Sequence, residues 1–91
     1  MNETRIDLRS GHYGSMDVQT RGGATTRRGA DLGDYDGIPE YTLIVTGPGQ
    51  FRVYSFHGDG FEWGPWLDVP EGDTKWSHGH VFVPWPLSPY K

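Results

Sequence analysis

Apolar and polar residues alternate with a period of two along much of this chain, in short runs broken by turn residues. No window carries the i, i+3, i+4 spacing of an amphipathic helix. The clearest run is Tyr41–Thr46 (YTLIVT), a block of good strand formers. Phe51–His57 follows as a returning strand. Phe61–Trp63 begins a third, which Gly64-Pro65 interrupts and Trp66–Val69 resumes. Pro65 has no N–H for a ladder, so this strand is expected at an edge, bent or bulged. Pro70-Glu71-Gly72-Asp73 reads as a turn. Thr74–Val83 reads as the last strand, with Trp76, His78, His80 and Phe82 on one face. Regular turn spacing without a helical pattern predicts an all-β fold. The expected form is a small antiparallel sheet or open barrel of about four to six short strands.

The turn residues suggest how these strands join. Pro48 and Gly49 suit the two central positions of a type II turn, with Gly49 at positive φ. A hairpin closed there sets Tyr41 opposite Phe56 and Leu43 opposite Tyr54. Gly58-Asp59-Gly60 carries the Asp-Gly signal of a type I′ hairpin.

Residues 1–40 look different. Arg5–Arg9 alternates, with Ile6 and Leu8 on one side, and Met16–Gln19 alternates again, which suggests a hairpin across residues 5–20. Residues 20–37 (TRGGATTRRGADLGDYDG) are Gly-rich and carry only Leu32 and Tyr35 as sizeable apolar side chains. Burial of so few apolar groups does not offset the entropy of ordering the segment. The chain therefore divides, on composition, into a polar arm at 1–40, a β domain at 41–85 and a Pro-rich extended tail at 86–91.

Composition narrows the function classes. The sequence has 91 residues, a formal net charge of −4 and no cysteine. The acidic balance argues against a nucleic-acid partner, which needs a basic face. Disulfides and thiolate metal sites are excluded. Met1–Ser10 is polar and unlike a signal peptide, and no apolar run is long enough to span a bilayer. The expected setting is a virion or the host cytoplasm, with no membrane partner.

Candidate chemistry is sparse. His78-Gly79-His80, with His57 and Asp59, offers side chains that a metal uses. Gly72, five residues and the HxH resemble the opening of the first cupin motif, but Val81-Phe82-Val83-Pro84 stands where that motif needs Glu. No metal or cofactor is expected. Asp59, Glu62, Asp68, Glu71 and Asp73 fall mostly in turns, where acids are ordinary, and no catalytic set converges. Pro86-Leu87-Ser88-Pro89 has PxxP spacing without a close basic neighbour. Trp63, Trp66, Trp76 and Trp85 either form a stacking platform or fill a core. Arg21, Arg27 and Arg28 form the one basic cluster.

These features lead to the expectation of a non-enzymatic protein working through protein contacts. Such a role fits a structural or accessory component of a larger assembly, for example a phage head or tail, with self-association or assembly neighbours as partners. The expected contact residues are Arg21, Arg27, Arg28, Trp63, Trp66 and Trp85. Two alternatives remain: a small inhibitor or regulator docking on one host protein, and a carbohydrate- or peptide-binding module using the Trp cluster. The latter requires at least two Trp exposed on one flat face.

Overall fold

A computed structural model describes residues 3–10, 14–77 and 81–84. The described residues form an all-β fold. Its strands are β1 (Glu3–Leu8), β2 (Ser15–Arg21), β3 (Thr25–Tyr35), β4 (Ile38–Thr46), β5 (Gln50–His57), β6 (Gly60–Trp63), β7 (Leu67–Asp68), β8 (Asp73–Ser77) and β9 (Val81–Pro84). The main path of the sheet runs β3-β4-β1-β2-β5-β6. It curls into an open half-barrel around one core.

The backbone of the fold is one long hairpin. β2 pairs antiparallel with β5, with Val18 opposite Val53 and Arg21 opposite Gln50. β3 pairs antiparallel with β4, with Thr25 opposite Thr46 and Arg28 opposite Leu43. The register carries across the bend unchanged, because residues 22–24 on one side are matched by 47–49 on the other; it shifts farther out, between Ser15 and Asp17 and twice between Arg28 and Gly33. The hairpin closes at Asp36-Gly37, where both central residues have positive φ (51° and 80°), the type I′ pattern.

Halfway along, the ribbon folds over at Gly22-Gly23 and Gly47-Pro48-Gly49. The two connections touch there. A Cβ on Gly49 would collide with the Arg21 carbonyl oxygen and lie 2.7 Å from the Ala24 nitrogen. Gly47 has φ 108°, and a Cβ on it would lie 2.8 Å from the Gly23 carbonyl oxygen.

β1 lies within this frame. One edge pairs antiparallel with β4, with Ile6 opposite Leu43 and Leu8 opposite Tyr41. Its other edge takes β8 in parallel at Glu3–Arg5 and meets β2 at Leu8 and Ser15. β9 pairs antiparallel with β8. The inward side chains of these strands make the core, with Ile6, Val45 and Phe51 fully buried beside Leu8, Val53, Val69 and Trp76. Each such side chain contributes roughly 1.5–3 kcal/mol by burial.

Several expectations change. Residues 3–10 and 14–40 are not a separate arm; they supply three strands of the same sheet and the start of a fourth. β1 and β2 do not form a hairpin, for they meet in parallel at one residue pair. β3 is ordered although its side chains are mostly exposed, because its backbone ladder to β4 satisfies it without burial. β4 and β5 are not paired, so Phe56 faces Phe61 and Tyr54 faces Trp63 instead of Tyr41 and Leu43.

Turn geometry differs too. Gly47, not Gly49, takes the positive φ. At 58–59 Gly58 leads with φ 59°. Among the described residues Asp36 is the non-glycine with positive φ, so this turn has the glycine-first II′ pattern. The last strand is split in two, with Trp76 opposite Phe82 across a hairpin. The tail at 86–91 and residues 78–80 lie outside the described residues.

The crossing predicts a sharp contrast between two glycines. Gly49→Ala forces backbone apart and should destabilise the protein by at least about 2 kcal/mol. Gly60→Ala, with nothing within 4 Å of the added carbon, should change stability by less than about 0.5 kcal/mol. Urea unfolding followed by Trp fluorescence measures both.

Candidate functional site

The outer face of β2, β5, β6 and β7 gathers the chain's most distinctive side chains. Alternation along β5 turns Phe51, Val53 and Ser55 inward, so Arg52, Tyr54 and Phe56 point outward. Cross-strand pairing puts Gln19 beside Arg52 and Arg21 beside Gln50 on the β2 side, and Trp63 beside Tyr54 and Phe61 beside Phe56 on the β6 side.

Trp63 and Trp66 are three residues apart and would face opposite ways on a regular strand. They do not, because the pairing slips by one residue between β6 and β7. Tyr54 faces Trp63, yet Phe51 faces Leu67. The extra residue falls at Gly64-Pro65-Trp66, where proline's missing donor favours a bulge on this edge. The bulge re-phases the strand and brings both indoles to the outer face, each half-buried.

The result is a continuous row of rings and guanidinium groups. Phe56 meets Phe61 edge-on at 5.5 Å, Phe61 stacks on Tyr54 at 5.8 Å, and Tyr54 contacts Trp63 at 5.2 Å. The Arg52 guanidinium lies 4.7 Å from the Trp63 ring and 4.9 Å from Trp66. Arg21 lies over Trp66 at 4.0 Å. Both arginines are held in place by amides. Arg52 Nε donates to Gln19 Oε1 at 2.8 Å, while Arg21 donates twice to Gln50 Oε1 at 2.9 and 2.7 Å. Gln50 Nε2 in turn donates to Asp68 Oδ1 at 2.9 Å.

Charge separates this face from the rest. Elsewhere the described cations face carboxylates: Arg5 and Lys75 with Asp7, Arg9 with Glu40, Arg27 with Glu3 and Arg28 with Asp31. Among the described residues Arg21 and Arg52 are the cations without an ion pair, and both lie on indole rings. A guanidinium fixed on a ring and hydrogen-bonded to a neutral amide keeps its full charge and a preset orientation.

The structure therefore brings together three of the expected contact residues, Arg21, Trp63 and Trp66. Arg27 and Arg28 are on the other half of the ribbon; Arg28 lies 4.1 Å over the Tyr41 ring. Trp76 is a core residue, 4% exposed. Trp85, His78 and His80 lie outside the described residues. Arg52, Tyr54, Phe56 and Phe61 join the site without having been singled out. The signal for the first three was present in the alternation of Phe51–Phe56.

Arg52 is half-buried, borders two indoles and donates to Gln19. Arg52→Met should lower stability by about 1–2 kcal/mol. It should also change the Trp emission, since Arg52 borders both outer indoles; urea titration read by fluorescence reports both effects.

Comparison with protein-family models, with curated proteins and with solved structures finds no match to this chain.

Proposed function

We propose that this chain is a non-enzymatic contact protein, a structural or accessory component of a larger assembly, that docks a partner protein on the outer face of β2, β5, β6 and β7. The observation that carries this reading is the pairing of two uncompensated arginines with two half-buried tryptophans. Trp, Tyr and Arg are the residues that dominate binding energy at protein interfaces. Here they are already ordered, so docking forfeits little side-chain entropy. The partner surface that fits them carries carboxylates among apolar side chains. Covering the face would also strengthen the ring–cation contacts, which grow from roughly 0.5–1 to about 2 kcal/mol on desolvation.

One observation favours a second reading. Trp63 and Trp66 share an outer face, as a carbohydrate- or peptide-binding module requires. Against it, the guanidinium groups of Arg21 and Arg52 already cover part of both indoles.

Affinity capture with the full chain tests the proposal. Wild type should retain a defined protein, and Arg52→Glu or Trp66→Ala should weaken retention at least about tenfold while the far-UV spectrum stays unchanged. Soluble oligosaccharides should not compete. Equal retention by the Arg52→Glu variant would sink the assignment of this face. Release by a simple sugar would favour the second reading.

A further inference from the structure

A second surface lies at the far end of the bent ribbon. A cavity of about 290 Å³ opens there between the β3–β4 hairpin and the start of β2. That is roughly ten times the share of liquid volume taken by one water, enough for an aromatic side chain. Its walls are apolar at Leu8, Met16, Ile38 and Tyr41 and carry two cations, Arg9 and Arg28, with no carboxylate among the lining residues.

The exposed large hydrophobic side chains of the described residues collect at this spot. They are Met16, 43% exposed, Tyr35, 55%, and Ile38, 51%. Met16 and Ile38 line the cavity, and Tyr35 stands opposite Ile38 across the hairpin. Apolar groups gathered in this way on an open surface mark a contact site.

The same hairpin carries a group that matches the cavity. Its tip, residues 33–38, is exposed throughout. The tip reads Asp34-Tyr35-Asp36, an aromatic ring between two acids. A tyrosine suits the apolar walls, and its flanking carboxylates suit Arg9 and Arg28. Ile38 belongs to both tip and cavity, so an acidic aromatic tip adjoins a basic, apolar-walled cavity in one contiguous patch. Such a patch satisfies two copies at once when they are related by a two-fold axis.

The geometry points to a symmetric dimer in which the Asp34-Tyr35-Asp36 tip of each copy enters the Arg9/Arg28 cavity of the other. The existing partners of these arginines do not oppose it. Arg28 pairs with Asp31 where both side chains are more than half exposed, and such surface pairs contribute little. Arg9 stands at a long 3.8 Å from Glu40. This interface uses no residue of the aromatic face, so the two contacts stand or fall separately.

Light scattering after size exclusion, over a range of concentrations, should show a species of twice the 10.2 kDa chain mass. Tyr35→Ala should weaken the dimer at least about tenfold and leave the urea midpoint of the diluted, monomeric protein unmoved, since Tyr35 is outside the core. Arg28→Glu and Asp34→Arg should each be monomeric alone, because each sets like charges together twice. Mixed, they should form a heterodimer, since both of its contacts then join opposite charges. Arg52→Glu should leave the dimer intact. A wild-type monomer at every concentration, a dimer indifferent to Tyr35→Ala, or a mixture that stays monomeric would each overturn the proposal.

Discussion

The close crossing of Gly22-Gly23 with Gly47-Pro48-Gly49 decides the shape of the molecule. A two-stranded ribbon as long as residues 15–57 has one buried side and one wet side, and on its own it has nothing to bury against. Folding it over supplies the missing layer from the same ribbon. The fold is possible because backbone meets backbone at the crossing, with the Gly49 α-carbon against the Arg21 carbonyl. Equal spacers on the two strands keep the register through the bend, so both halves present their apolar residues to one core. β1 then lies in that core with both edges paired.

With the core fixed, the outer surfaces are free to differ. On the β1–β4 side, charges are matched in pairs, with Asp7 shared between Arg5 and Lys75. On the β2–β5 side, Arg21 and Arg52 make no ion pair and rest on rings, with Asp68 reached only through Gln50. The difference arises from what stands opposite each arginine. Arg27 has Glu3 within 3.2 Å, whereas Arg21 and Arg52 have Gln50 and Gln19. A glutamine orients a guanidinium without cancelling it. An amide stands where a carboxylate would pair the guanidinium, twice on one face.

How much of this was legible in the sequence depends on how local each feature is. The all-β class followed from alternation and turn spacing. Pro65 announced an edge bulge, and β6–β7 is such an edge. The ordering of β3 was not legible, because composition counts buried side chains and a strand is also held by its backbone. The parallel contacts of β1 were invisible, since nothing near Glu3–Arg5 points to Asp73–Lys75. The Asp36-Gly37 turn was readable but was obscured by the polar run around it. For the site, a platform holding Trp63 and Trp66 was one of two readings of the sequence, and nothing local decided between them, because their shared face depends on a one-residue slip. Arg52 was masked by pairing β5 with β4, which hid that its side chain looks out across β2.

The placement of β1 has a consequence for how the chain reaches this state. The ribbon of β2–β5 grows outward from the two-residue turn at Asp36-Gly37, so its pairs close one after another at a small entropic cost per step. β1 and β8 have no such route. Thr4 finds Thr74 across 70 residues of sequence, their hydroxyls 3.2 Å apart. Long-range parallel pairing of this kind slows folding, because the loop must close before any contact rewards it. Until β1 docks, β4 presents an unpaired edge and the core lacks Ile6 and Leu8; Trp76 joins only with β8. The strand that holds the two halves together is thus the one that arrives by the longest search, and the half-finished ribbon exposes the edge that a neighbouring chain would most readily add to.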